Sequence, residues 1–118
     1  FNGLNAAGTS IFQVQYRRSN NTGYQVRLSV TRAGGTTNTN WYAINNNAWN
    51  AIEIAWASGG AASASLYTGG TLRQTLTGLN TSAYTLDTVR LGPQGTLPNT
   101  GAVLFDSFTS TRRTVVGP

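Results

Sequence analysis

Apolar side chains recur at every second position along most of this chain, and that period limits the fold more than any other feature. Phe12, Val14 and Tyr16 fall on one side of an extended segment, and Gln13, Gln15 and Arg17 fall on the other. Tyr24, Val26, Leu28 and Val30 repeat the pattern against Gln25, Arg27, Ser29 and Thr31. A period of two is the signature of a half-buried β-strand, because successive Cβ atoms point to opposite faces. The intervening Ser19-Asn20-Asn21-Thr22-Gly23 has turn chemistry, so the two segments are expected to form an antiparallel hairpin. Ala33-Gly34-Gly35-Thr36-Thr37-Asn38 reads as a loop closing the second strand. Ile52, Ile54 and Trp56 alternate with Glu53, Ala55 and Ala57, and residues 63–68 and 71–76 flank the two-residue hairpin signal Gly69-Gly70. Short strands at 41–44 (before the turn Asn45-Asn46-Asn47) and 84–92 (ended by Pro93), and a longer one at 101–113, bring the expected total to about eight. No apolar stripe at helical spacing is long enough for a helix. The expected fold is all-β, an antiparallel sandwich or barrel, with residues 1–118 as a single domain.

Composition removes most chemistry. The chain contains no His, no Cys and no Met. A Ser-His-Asp or Cys-His triad cannot be assembled, and neither can zinc, haem or iron–sulfur sites of the usual ligand types. The carboxylates are Glu53, Asp87 and Asp106 alone. No apolar run is long enough to cross a bilayer as a helix. Thr, Gly, Asn and Ser make up 53 of 118 residues, yet a hydrophobic share of 39% set in alternation is enough to bury a core, which argues against disorder. This hydroxyl- and amide-rich balance is that of secreted or surface-displayed β proteins. A chain without Met is expected to be a piece released from a longer product.

The segment Trp49-Asn50-Ala51-Ile52-Glu53-Ile54-Ala55-Trp56, followed by Leu66-Tyr67-Thr68-Gly69-Gly70-Thr71-Leu72, resembles the laminin-G-like or concanavalin A-like jelly roll. Val89-Arg90-Leu91-Gly92 and Thr100-Gly101-Ala102-Val103-Leu104-Phe105-Asp106-Ser107-Phe108 are similar to the last two strands of that family. The likeness covers residues 41–113 by motif and 1–32 by strand pattern. Thr68 stands where the family's hairpin tip has an acid or amide. The resemblance also implies an earlier strand ahead of Phe1-Asn2-Gly3-Leu4, whose absence leaves an edge open to pairing in a homodimer.

Glycoside hydrolases of this architecture set two or three carboxylates on one strand face, about 5 Å apart in retaining enzymes. Glu53, Asp87 and Asp106 each stand alone, so no catalytic residue is assigned. Glu53 alternates out of the Ile52/Ile54/Trp56 face as a solvated carboxylate, and the resemblance implies a structural Asp106 bound to an Arg. Asp87 is the weak candidate for a metal, joining loop carbonyls around calcium, although a single carboxylate makes a poor site. No cofactor is expected.

Aromatic residues offer a better surface. Trp41 and Tyr42 are consecutive on one strand, so one ring must leave the core. Trp49 stands beside Asn46 and Asn50, an aromatic-plus-amide cluster of the kind that stacks a sugar ring and reaches its hydroxyls. Trp41, Tyr42, Trp49, Asn46 and Asn50 are therefore the candidate ligand-binding residues, and Trp56, in phase with Ile52 and Ile54, belongs to the core.

Every one of the 8 basic residues is Arg, and the net charge is +5. That charge attracts anionic polysaccharide or nucleic acid. No interleaved aromatic and basic stripe marks an RNA-binding sheet, so no specific nucleic-acid role is expected. Asn20-Asn21-Thr22 and Asn80-Thr81-Ser82 are glycosylation sequons that count only in a eukaryotic secretory pathway. The expected function is non-catalytic recognition or adhesion at a glycan or cell-surface polysaccharide. The alternative is a structural or accessory spacer docked on a neighbouring domain of its parent protein, and the third is a fragment of a glycan-active enzyme. The expected location is secreted or cell-surface, with no membrane insertion.

Overall fold

A computed structural model describes residues 1–93 and 103–111. The chain is all-β, with nine strands and two antiparallel sheets among the described residues. In chain order the strands are β1 (Asn2–Leu4), β2 (Ser10–Ser19), β3 (Gly23–Arg32), β4 (Gly35–Asn38), β5 (Tyr42–Ala43), β6 (Ile52–Trp56), β7 (Ala62–Thr68), β8 (Thr71–Leu79) and β9 (Thr88–Arg90). The larger sheet runs β4-β3-β2-β1-β9, with β5 also paired to β3, and the smaller runs β6-β7-β8.

The hairpins follow from the alternation. Across β2 and β3, Phe12 lies opposite Val30, Val14 opposite Leu28 and Tyr16 opposite Val26, so the apolar set shares one face. That face meets the smaller sheet. Ile11, Phe12, Leu28 and Val30 form one buried cluster with Ala64, Leu66, Leu76 and Leu79, and Ile52, Ile54 and Trp56 pack against it. The rings of Phe12 and Trp56 meet across the sheets at 5.7 Å between centroids. The β7–β8 turn has both Gly69 and Gly70 at positive φ, 56° and 75°, which two-residue hairpin loops demand and which glycine adopts without a steric penalty.

One bulge redirects a side chain. Strict alternation sends Ile11 outward with Gln13, yet it is fully buried. The β1–β2 register shifts between Gly3 and Leu4, so Ile11 is left without a partner on β1, and such an extra residue bends the strand and re-aims its side chain. Beside it, Gly3 lies opposite Phe12, and a Cβ there would overlap the Phe12 ring.

Several expectations need correction. Residues 35–38, read as loop, form β4 and pair with Ser29 to Arg32 of β3. The strand expected at 41–44 is only Tyr42–Ala43, and the one expected at 84–92 is only Thr88–Arg90. Residues 103–111 are not a strand, because apolar side chains supply no ladder partner; 101–102 and 112–113 lie outside the described residues. Tyr16 is 48% exposed, for the three-stranded sheet does not reach over the far end of β2 and β3, where its ring stacks on Tyr24 instead. The segment expected to border an open edge is interior: β1 pairs with β2 on one side and β9 on the other.

Candidate functional site

The β5–β3 pairing separates the two adjacent aromatics. Tyr42 lies opposite Val26 and packs against the core, and its hydroxyl donates to Gln74 Oε1 on β8 at 2.9 Å. Tyr42 is thus a tether between the sheets and is removed from the ligand-binding candidates. Trp41 has the opposite parity and lies on the outer face of the larger sheet. The guanidinium carbons of Arg17 and Arg27 sit 4.2 and 4.5 Å from its ring centroid. Each arginine is also fixed to the facing strand: Arg17 Nε donates to Gln25 Oε1 at 2.9 Å, and Arg27 Nε to Gln15 Oε1 at 2.6 Å. Arg17 lies opposite Gln25 and Arg27 opposite Gln15, so these are direct cross-strand pairs.

Cation–π contacts at exposed sites contribute about 0.5–1 kcal/mol each. Two surface charges ~8 Å apart repel by roughly 1–2 kcal/mol. The two effects nearly cancel, so the array is ordered without being neutralised. No acidic residue belongs to β1, β2, β3, β4 or β9. Around the arginines the positions of the same parity are Gln13, Ser29 and Asn38, with Asn2 and Arg90 further across the sheet; of these Ser29 and Asn2 are buried. The alternation placed these polar side chains on one face, but the contact of Trp41 with two arginines from different strands depends on a pairing of β5 that local pattern does not contain.

Trp49 and Asn50 occur elsewhere, at a cleft of about 140 Å³ lined also by Asn45, Thr68, Gly69 and Arg73. The Trp49 ring is 70% exposed. Asn50 is committed to its own loop: its Oδ1 accepts from the Asn45 N–H at 2.9 Å, and its Nδ2 donates to the carbonyls of Asn45 and Ala48, both at 2.9 Å. It therefore closes the loop that carries Trp49 and has no spare N–H for a ligand. Asn46 is exposed on the turn and does not line the cleft. Arg73 and Thr68, which reach this cleft from the β7–β8 hairpin, were not among the expected site residues. Arg73 Nε donates to Thr68 Oγ1, which fixes the guanidinium at the cleft.

The carboxylates stay apart. Asp87 accepts from Thr88 Oγ1 at 2.8 Å and lines a separate cleft of about 330 Å³ with Asn5, Ala83 and Leu86. Among the described residues no three metal-ligating side chains gather. Asp106 Oδ1 accepts from the Ser107 N–H at 2.8 Å, within its own turn, in place of the expected arginine. Glu53 lies opposite Tyr67, on the side of the smaller sheet facing away from the core.

Comparison with protein-family models, with curated proteins and with solved structures gives no match. The likeness to the concanavalin A-like jelly roll rests on the residues quoted for it alone.

Proposed function

We propose that this domain is a non-catalytic module that binds carbohydrate at the Trp49 cleft. The observation that carries this reading is the Trp49 ring, exposed to solvent at the rim of a polar cleft on a loop that the Asn50 hydrogen bonds close. An exposed indole offers a flat apolar face to a pyranose ring, and the Arg73 guanidinium, anchored through Nε on the buried Thr68 hydroxyl, supplies donors for hydroxyls. The cleft is well below the ~300–1,000 Å³ of sites that engulf a ligand, so it suits one sugar unit of a longer chain, bound weakly. The same reading places the domain in a secreted or surface protein. The concanavalin A-like jelly roll belongs to this proposal; two packed sheets support it, and the run of consecutive neighbours β4-β3-β2-β1 tells against it.

A glycan-array screen of the soluble domain tests the function, followed by titration of the best binder against Trp49→Ala. Binding should vanish in the variant while its thermal midpoint stays within about 2 °C, as expected for an exposed side chain. A screen without hits, or a Trp49→Ala variant that binds as the parent does, overturns the reading. The second reading, an accessory domain docked on a neighbour, is favoured by the exposure of Val103, Leu104, Phe105 and Phe108 in one short segment.

A further inference from the structure

We infer that the outer face of the larger sheet carries a second site, built by Arg17, Arg27 and Trp41, that takes the sulfates or carboxylates of an acidic polysaccharide. The inference goes beyond the Trp49 cleft and does not depend on it. Both guanidinium groups lie over one indole ring, at 4.2 and 4.5 Å, so their separation is fixed by the protein rather than by solvent. Each spends its Nε on a glutamine, which orients the planar fork; among the described residues no carboxylate meets the terminal nitrogens of either. A guanidinium fork matches the geometry of a carboxylate or sulfate and binds it through paired, charge-assisted hydrogen bonds. Two forks at fixed spacing suit anionic groups repeated along a polymer.

The surroundings decide which polymer. Gln13 and Asn38 flank the arginines with amides, complementary to the hydroxyls of sugars, and Ser29, between them in the cross-strand row, is buried. Nucleic-acid surfaces of sheets instead use exposed rings to stack bases. Here the Trp41 ring is engaged by its two arginines, and that disfavours stacking.

The test uses affinity electrophoresis and calorimetry with dextran sulfate, polygalacturonate, neutral dextran and a single-stranded oligonucleotide. The parent domain should bind the two acidic polymers and ignore dextran. Arg17→Gln/Arg27→Gln should weaken binding by about tenfold or more, the loss of two charge-assisted contacts. Arg17→Lys/Arg27→Lys keeps the charge and loses the fork, and should lose most of that affinity as well. The control, Arg18→Gln/Arg32→Gln, removes equal charge from the opposite face of the same strands and should change affinity by no more than about twofold, since exposed charges beyond a Debye length are screened. Equal losses in the site and control variants would reduce the effect to bulk charge and overturn the proposal. Parent-like binding by the Lys variant, tighter binding of the oligonucleotide, or no binding by the parent would overturn it too. Circular dichroism of each variant separates lost binding from lost fold.

Discussion

Replacing Thr81 by Val should destabilise this domain far more than a change of similar volume in a loop ordinarily does. Thr81 follows β8 and is 0% exposed. Its hydroxyl donates to the Ala57 carbonyl at 2.8 Å and accepts from the Gly59 N–H at 3.1 Å. Its backbone N–H donates to the Gly59 carbonyl at 2.8 Å, and its carbonyl accepts from the Ser58 hydroxyl at 3.1 Å and the Tyr84 N–H at 3.0 Å. The side chain therefore ties the β6–β7 loop to the segment after β8. Valine keeps the shape but strands one donor and one acceptor. Each net hydrogen bond is worth about 1 kcal/mol, and a buried group left unpaired costs about 1–3 kcal/mol, so a total of roughly 2–3 kcal/mol is expected. At ~4 °C per kcal/mol for a domain of this size, the midpoint should fall by roughly 8–12 °C. Urea unfolding with an unchanged m-value, together with faster amide exchange at Gly59, would register this loss. Thr81→Ser retains the hydroxyl and should cost only about 1 kcal/mol. A valine variant within ~0.5 kcal/mol of the parent, or a serine variant worse than the valine one, would refute the reasoning.

Two further outcomes concern other buried or stacked groups. Trp56 Nε1 is enclosed without a hydrogen-bond partner among the described residues. Trp56→Phe removes that orphan donor, which recovers about 1–3 kcal/mol against the lost ring volume, whereas Trp56→Ala should cost ~3 kcal/mol or more; urea unfolding should rank them in that order. The Tyr16 hydroxyl titrates above its ordinary value of 10.0, chiefly because burial disfavours the phenolate, with Tyr24 adding to the effect and Arg18 opposing it. The fold thus favours the protonated form, and this contribution to stability is complete below the ordinary tyrosine value and is lost as pH rises through the raised one. Tyr16→Phe should flatten the alkaline limb of a stability–pH curve, and an unaltered limb would count against the assignment.

Local pattern carried the fold wherever two apolar runs face each other across a short turn. The β2–β3 and β7–β8 hairpins are legible because alternation and turn residues agree. β4 was not, since Gly35, Thr36, Thr37 and Asn38 offer no apolar face; it is a strand because β3 presents an open ladder to it. The converse held at 103–111, where a run opening on Val103, Leu104 and Phe105 has no ladder to join among the described residues. Between β4 and β5, Thr39 takes over the ladder with its side chain, its hydroxyl accepting from the Leu28 N–H at 3.0 Å. At the candidate cleft, sequence neighbours placed Trp49 beside Asn50 but did not reveal that the Asn50 amide closes its own loop. The Arg17–Trp41–Arg27 array joins β2, β3 and the residue just before β5, and such contacts are invisible to spacing along the chain.

The crossed pairs Arg17–Gln25 and Arg27–Gln15 also bear on how β2 finds its alignment with β3. A slip of one residue is forbidden by burial, because it turns every apolar side chain outward. A slip of two is not, because it leaves each side chain on its own face: Val14 then meets Val30 or Val26, and Phe12 meets Arg32 or Leu28. The outer face distinguishes the alternatives. Sliding two residues one way sets Arg17 directly against Arg27, and like charges in facing positions repel. Sliding two the other way sets Arg17 against Gly23 and Gln15 against Gln25, leaving Gln13 as the one amide facing an arginine. The strand pair therefore reads its apolar side to choose a face and its wet side to choose a frame, so neutralising the outer arginines should yield a hairpin that still collapses but no longer settles in a single alignment.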